Sequence, residues 1–398
     1  MPKYPRGALC AAFVITAILA ATAATSRAEV SFLPLPVFDT SRNGGNEYGF
    51  MPVWLLKEQS EYVYAIIAPS VIYNGNTGYN FTFRYLGFPT VDRNYRIFVN
   101  QSSKVDHEVT FEYWDRKFLG GRFRLTGRAT FFRDSTFRFY GLGPKSRDVD
   151  ETDYSNMEFA PEIKLGYYLP HNLELSYGER VRWVTIRRGT VASLPYINEL
   201  FPKLEGKNGG AVQEHRVTLT YDTRDDEVMP CKGWLVSGYG ELINGYTGGR
   251  LFTRAGFDAK RYIPSAGKRF VTVLKLSLQA TGGAHVPFYE QASLGGENTL
   301  RGLGGFRYRD DNMALLNIEE RIRLFRLHIF GVWSEWEAAP FVDAGKVFGS
   351  FRKDILEEIQ VNPGVGFRAI VQPNVVGRVD IGYGHSGPAA FVGLDFPF

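Results

Sequence analysis

The sequence predicts an all-β protein: a transmembrane antiparallel β-barrel of about 16 strands. Three observations carry this. Most of the chain after residue 60 alternates apolar and polar residues with period two, the pattern of strands and not of helices. In most of these stretches the polar face carries charges, while the apolar face is rich in Leu, Val, Ile, Tyr and Phe. The connectors alternate between tight and long, as in an even-stranded barrel with both termini on the periplasmic side.

Composition agrees. The chain has 22 Tyr, 31 Phe and 43 Gly, the residues of strands and turns. Two Cys in 398 residues exclude a disulfide-stapled scaffold. The aromatic and apolar content excludes a disordered chain. Residues 8 to 25 form the one long low-charge stretch, and charges break every other apolar run, which excludes a helical membrane bundle.

Residues 1–28 have the parts of a signal peptide. Lys3 and Arg6 make a positive start, Ala8 to Ala24 is apolar, and Ser26-Arg27-Ala28 offers small residues at a cleavage site. Removing this segment takes away Lys3, Arg6 and Arg27 and leaves 43 basic against 42 acidic residues. The basic balance therefore belongs to the signal, and nothing supports nucleic-acid binding. Cys231 is the cysteine that remains.

The strands follow in order. Ile163, Leu165 and Tyr167 oppose Glu162 and Lys164. Val217, Leu219 and Tyr221 oppose Arg216, Thr218, Thr220 and Asp222. Leu274, Leu276 and Leu278 oppose Lys275, Ser277 and Gln279, and Val379, Ile381 and Tyr383 oppose Arg378, Asp380 and Gly382. The barrel is expected to start near Tyr62 and end at Phe398, with 61–398 as one domain. Tight connectors fall at Phe88–Asp92, Lys117–Gly121, Leu169–Asn172, Pro264–Lys268 and Gln372–Asn374. The longest fall at Asp134–Asn156, Gly189–Gly210 and Gly282–Asp311. The last of these holds seven glycines and no periodicity, and a loop this long is usually functional or disordered. Its core, Leu294-Gly295-Gly296-Glu297-Asn298-Thr299-Leu300-Arg301-Gly302, sets one arginine among paired glycines that permit tight turns. It lacks the Lys-Ser/Thr and strand–loop–helix context of a phosphate loop.

This segment resembles the conserved loop of the BamA/TamA-type outer-membrane assembly barrels, the bacterial surface antigen family, which carries Gly-Gly, a spacer and then Arg-Gly-aromatic. Gly295, Gly296, Arg301 and Gly302 match it; Leu303 replaces the aromatic, for which Phe306 and Tyr308 are substitutes. Further segments resemble family motifs in the right order. Phe341 to Phe348 looks like the Asp-x-Gly strand, with Asp343 as its aspartate. Glu319-Glu320-Arg321 looks like the Glu-x-Arg of the strand after the loop. Asp222, Arg224, Asp225 and Gly233 look like a periplasmic turn motif, and Tyr140-Gly141-Leu142-Gly143 also matches. The terminus, with Gly393, Phe396 and Phe398, resembles the C-terminal signal read by the barrel-assembly machinery.

The resemblance implies that the loop folds back into the lumen and that Arg301 pairs there with Asp343. Buried guanidinium and carboxylate groups need each other, and the two-point fork suits this pair. Glu319 and Arg321 share the polar face and are expected nearby as loop-locking partners; Glu320 falls on the lipid side, an exception. The family's assembly factors carry periplasmic POTRA domains before the barrel. Residues 29–60 are too few for one and are broken by Pro34, Pro36, Asn43-Gly44-Gly45 and Pro52, so a short N-terminal segment without POTRA is expected.

No catalytic residue, metal ligand or cofactor is assigned, because the six His are scattered without ligand spacing. The implied function is outer-membrane biogenesis or transport of protein or lipid in a Gram-negative outer membrane, through a weak seam between first and last strands. The alternatives are a passive or gated pore or surface antigen and, third, a barrel hydrolase. The implied partners are outer-membrane lipid, the barrel-assembly machinery and periplasmic chaperones during biogenesis; a protein or lipid substrate and a homo-oligomer are left open.

Overall fold

The structure is a computed structural model that describes residues 29–41, 43–58, 63–246, 250–329, 332–350, 357–371, 375–393 and 397. The expected signal peptide over 1–28 lies outside the described residues. Strands run in chain order as β1 (Glu29–Ser41), β2 (Gly45–Lys57), β3 (Val63–Ile67), β4 (Ser70–Asn74), β5 (Gly78–Thr90), β6 (Arg93–Ser102) and β7 (His107–Lys117). Next come β8 (Phe123–Phe139), β9 (Thr152–Leu169), β10 (Leu173–Arg187), β11 (Gly209–Asp222), β12 (Gly233–Gly245), β13 (Arg250–Ser265) and β14 (Phe270–Gly282). Two short strands, β15 (Ala292–Leu294) and β16 (Tyr308–Asp310), pair within the long loop. The last are β17 (Asn312–Ile329), β18 (Val332–Phe348), β19 (Gln360–Val371), β20 (Val375–Gly384) and β21 (Gly387–Gly393).

All but β15 and β16 belong to one antiparallel sheet of 19 strands, and β1 pairs with β21 to close it into a ring. β3 and β4 lie end to end between β2 and β5 and share one place in that ring. The ring therefore has two places more than the sixteen expected. The excess is β1 and β2, so among the described residues the wall begins at Glu29 and not near Tyr62. The expected short N-terminal segment is a hairpin of the wall. The strands flanking Asp134–Asn156 also reach further than expected, to Phe139 and from Thr152.

The burial pattern shows which way the sheet curves. On β11, Val217, Leu219 and Tyr221 are exposed while Glu214 and Thr218 are buried. On β14, Leu276 and Leu278 are exposed and Ser277 is buried. A water-soluble sandwich does the reverse, hiding its apolar face. An apolar belt outside and hydrogen-bonding groups inside is the distribution that a lipid bilayer selects. Glu320 interrupts the belt on β17, and Thr272 of β14 donates a hydrogen bond to it at 2.7 Å.

Proline explains why the first hairpin looked unlike strand. Pro34 lies directly opposite Pro52 in the β1–β2 register. Neither has an N–H, so this pair cannot be one that exchanges hydrogen bonds. Alternation then points the missing donors of Pro34 and Pro36 away from β2, toward β21. Pro52 faces the other neighbour; with Phe50 opposite Val71 and Trp54 opposite Ile67, it falls opposite Pro69, where β3 and β4 are interrupted. The prolines thus cost the hairpin none of its own ladder but strip two donors from the edge that must close the ring. Among the described residues, β1 meets β21 at Thr40↔Ala390.

Pro34→Thr with Pro36→Val should restore both donors. At roughly 0.5–1.5 kcal/mol per hydrogen bond gained, the barrel should keep its compact, heat-modifiable migration to a higher temperature. An unchanged or lower transition would show that the seam does not depend on these prolines.

Candidate functional site

The loop between β14 and β17 lies inside the barrel. Apolar groups hold it first: Leu294, Leu300, Leu303 and Tyr308 pack on Leu315 and Val347 of the wall. Leu303, standing where an aromatic was expected, is itself buried in this cluster. Of its two candidate substitutes, Tyr308 joins the cluster, whereas Phe306 points to the open part of the lumen. Close approach of backbone to wall requires glycine at two places. A Cβ on Gly302 (φ +121°) would lie 2.8 Å from the Tyr383 carbonyl carbon, and one on Gly382 of β20 would clash with the Arg301 carbonyl oxygen. Gly295 and Gly296 also adopt positive φ.

Arg301 is 0% exposed. Its Nε and Nη2 donate to the two oxygens of Asp343 on β18, each at 2.9 Å, and its backbone N–H donates to Asp343 Oδ2 at 3.0 Å. Nη1 donates to Glu319 of β17 at 2.7 Å. The guanidinium also sits 3.4 Å from the centre of the Phe341 ring. Asn317 donates to Asp343 at 2.7 Å, and Arg321 donates to Glu319 at 3.1 Å.

The network runs further than the sequence motifs indicated. Arg368 of β19 bridges Glu319 at 3.1 Å and Asp380 of β20 at 2.8 Å. Arg378 bridges Asp380 and returns to the loop at Glu297, both at 2.8 Å. Four guanidinium groups thus meet four carboxylates, so the cluster is neutral. The signal for Arg378 and Asp380 was present in the alternating polar face of their strand. Its meaning was hidden, because partners from β17 to β20 come together only when the barrel curves.

Two more contacts hold the loop. Glu290, 3% exposed, receives Arg182 of β10 at 2.8 Å and Arg254 of β13 at 2.9 Å. Those arginines also bind Glu158 and Glu241 of the wall. Burial alone would raise the Glu290 carboxyl, but Arg182 and Arg254 pull it down to about 2. Arg307 reaches Ser146 and Asp148, and the Gly143 N–H donates to the Arg309 carbonyl, so the segment after Tyr140-Gly141-Leu142-Gly143 closes over the loop.

The turn motif forms a separate site between β11 and β12. Arg224 donates to both oxygens of Asp222, at 2.9 and 2.7 Å. Asp225 accepts the Cys231 and Lys232 N–H groups. Gly233 (φ +111°) has no room for a Cβ beside the Thr223 carbonyl. Glu227 reaches Arg116 and Arg124 at the turn between β7 and β8, tying two distant turns together. Gly393 ends β21, with the Arg378 side chain where its Cβ would stand. Phe396 and Phe398 lie outside the described residues. Among the described residues, no cluster of His, Cys, Asp and Glu could hold a metal ion.

Two outcomes follow. Arg301→Ala strands buried Asp343 and Glu319, and Asp343→Asn removes the fork; each should destabilise the docked loop by about 3–5 kcal/mol. The double variant should cost clearly less than the sum, because the two share one interaction; additive losses in denaturant melts would refute the coupling. A charge swap is a poor substitute, since an acid at 301 would face Glu319 and Asp380. The second outcome concerns pH. A carboxylate held below its unfolded value near 4.3 stabilises the docked state above that value and loses the contribution as pH falls through about 2. Hydrogen exchange over 286–291, corrected for intrinsic rates, should be flat from pH 7 to 5 and should rise only on strong acidification. A rise already near pH 5 would contradict the arrangement.

The family model described as the Omp85 superfamily domain matches residues 93–379. Among solved structures, BamA from Haemophilus ducreyi lacking POTRA domains 1-3 aligns with 96% of this chain and 76% of its own, at 15% identity and a TM-score of 0.53. CdiB from Escherichia coli aligns with 92% of this chain and 60% of its own, at 15% identity and a TM-score of 0.49. No curated protein matches the sequence. The BamA likeness is one of fold; the family match takes in the turn motif, the loop with Arg301, and Glu319, Arg321 and Asp343. The chain belongs to the Omp85 superfamily.

Proposed function

We propose that this barrel acts in outer-membrane biogenesis or transport, passing protein or lipid through the seam between β1 and β21 without catalysing a reaction. The single observation that carries this reading is the seam itself. It joins at Thr40↔Ala390, beside a β1 edge stripped of donors by Pro34 and Pro36. An edge with unpaired carbonyl and N–H groups is a template for another strand, and an opening in the wall exposes the lumen sideways to lipid. Loop locking by Arg301, Asp343, Glu319 and Arg321 supports the same reading, because a lumen filled on one side leaves the seam as the route. The barrel-assembly machinery and periplasmic chaperones are its proposed partners during its own biogenesis, and outer-membrane lipid is its surroundings.

The test uses proteoliposomes of the purified barrel and an unfolded outer-membrane barrel as client. Wild type should speed client folding over empty liposomes. A Thr40→Cys/Ala390→Cys pair, in a Cys231→Ser background, should abolish the acceleration when oxidised and recover it on reduction. No acceleration by wild type, combined with steady ion conductance that crosslinking does not change, would overturn the reading in favour of a pore.

A further inference from the structure

The loop fills only part of the lumen. Between it and β2–β8 lies a cavity of about 780 Å³, bordered by Asn43 and Gly44 of the β1–β2 turn and Thr77 of the β4–β5 turn, and so on the loop side of the barrel. This is the size of a small-molecule site. The Omp85 assignment and the seam do not account for its lining.

Three features of the lining point to one ligand chemistry. First, it contains a stack of phenyl rings. Phe137 lies 5.2 Å from Phe306 and 6.4 Å from Phe132, both at 18° between planes. Phe306, which ends the stack, is 37% exposed. It is held at φ +59°, an uncommon backbone state for a bulky side chain. Its neighbours are anchored on both sides: Asn43 donates to the Gly305 carbonyl at 2.8 Å, and Arg307 is bound to Ser146 and Asp148. The loop therefore maintains a strained residue in order to present a ring. Second, the remaining wall is rich in short amides and hydroxyls, among them Asn74, Thr77, Asn80, Thr82, Asn100 and Thr130. Third, the charged lining holds three arginines against five carboxylates, which disfavours a polyanion.

We infer that this cavity is a binding site for a short neutral oligosaccharide, with Phe306 as the platform on which a sugar ring stacks and the amides and hydroxyls of the wall, Asn100 among them, as hydroxyl partners. The apolar C–H face of a pyranose packs flat on a phenyl ring, and its hydroxyls both donate and accept, as the side-chain amides and hydroxyls of this lining do. A peptide fits less well. Extended peptides are bound by strand addition at a free edge, and most of this lining comes from β4 to β8, which are paired on both sides, with Phe391 and Val392 alone from the seam strand β21. The site goes beyond the transport reading, because it needs neither an open seam nor a client.

Calorimetry on the detergent-purified full chain tests it. The probes are the neutral saccharides maltohexaose and chitotriose, with an extended ten-residue Ser/Asn peptide as the competitor class. At least one saccharide should bind saturably. Phe306→Ala should weaken it roughly fivefold, the loss of one aromatic contact, while Phe306→Tyr should retain it. Asn100→Leu should weaken it without touching the loop, and heat-modifiable migration checks that each variant is folded. The proposal is overturned if no saccharide binds, if the Phe306→Ala affinity equals wild type, or if the peptide binds more tightly than every saccharide. Client folding by wild-type proteoliposomes is read separately, so failure of one reading leaves the other standing.

Discussion

A buried guanidinium without carboxylates would cost several kcal/mol, and in this barrel Arg301 sets the terms for the whole C-terminal wall. Its fork fixes Asp343, its third nitrogen fixes Glu319, and those carboxylates in turn satisfy Asn317, Arg321 and Arg368. Each strand from β17 to β20 contributes a charged group to one neutral cluster. The loop is therefore part of the lumen's solvation: where water would otherwise hydrate the wall, Arg301 and Glu297 do so. Removing the loop would leave Asp343 without its strongest partner. The charges of the wall and the loop's position are one constraint seen from two sides.

Much of this was legible in the sequence, for a physical reason. Period-two alternation reports which side chains share a face, and it reported correctly for β9, β11, β14 and β20. The inverted meaning of those faces, polar within and apolar without, could be read from charges recurring on the inner face. The hairpin β1–β2 was not legible, because Pro34, Pro36 and Pro52 look like strand breakers. Proline breaks a strand only where its N–H would have been used. Whether it is used depends on the register across two chains of residues, which is not a local property. The wider charge network failed to show for a related reason: Arg368 and Glu319 are far apart in sequence, and only ring curvature brings them together.

The Glu290 contact shows how one solution is reused. Arg182 and Arg254 each satisfy a wall carboxylate and the loop carboxylate together. The loop is thus bound by a carboxylate between two arginines at one end and by an arginine between two carboxylates in its middle. A loop bound at one point could swing about it; binding at Glu290 and Arg301, on different sectors of the wall, and at Arg307, by the β8–β9 connector, removes that freedom. Glycines at 302 and 382 let the backbone come close enough for these short contacts to form.

The two halves of the lumen are consequently unlike. From β9 to β20 the wall is covered by the loop and closed by charge pairs. From β2 to β8 the wall faces an open cavity, and the neighbouring β1 edge lacks the N–H donors of Pro34 and Pro36. This asymmetry follows from the attachments: every strong ionic contact of the loop, apart from Arg307 with Asp148, is to β10 or a later strand. Rigidity is concentrated where the charges are, and the space and the seam are left where they are not. A barrel that must admit something, whether sideways or from above, needs such a division, because a lumen filled evenly would have to break its buried ion pairs before anything could enter.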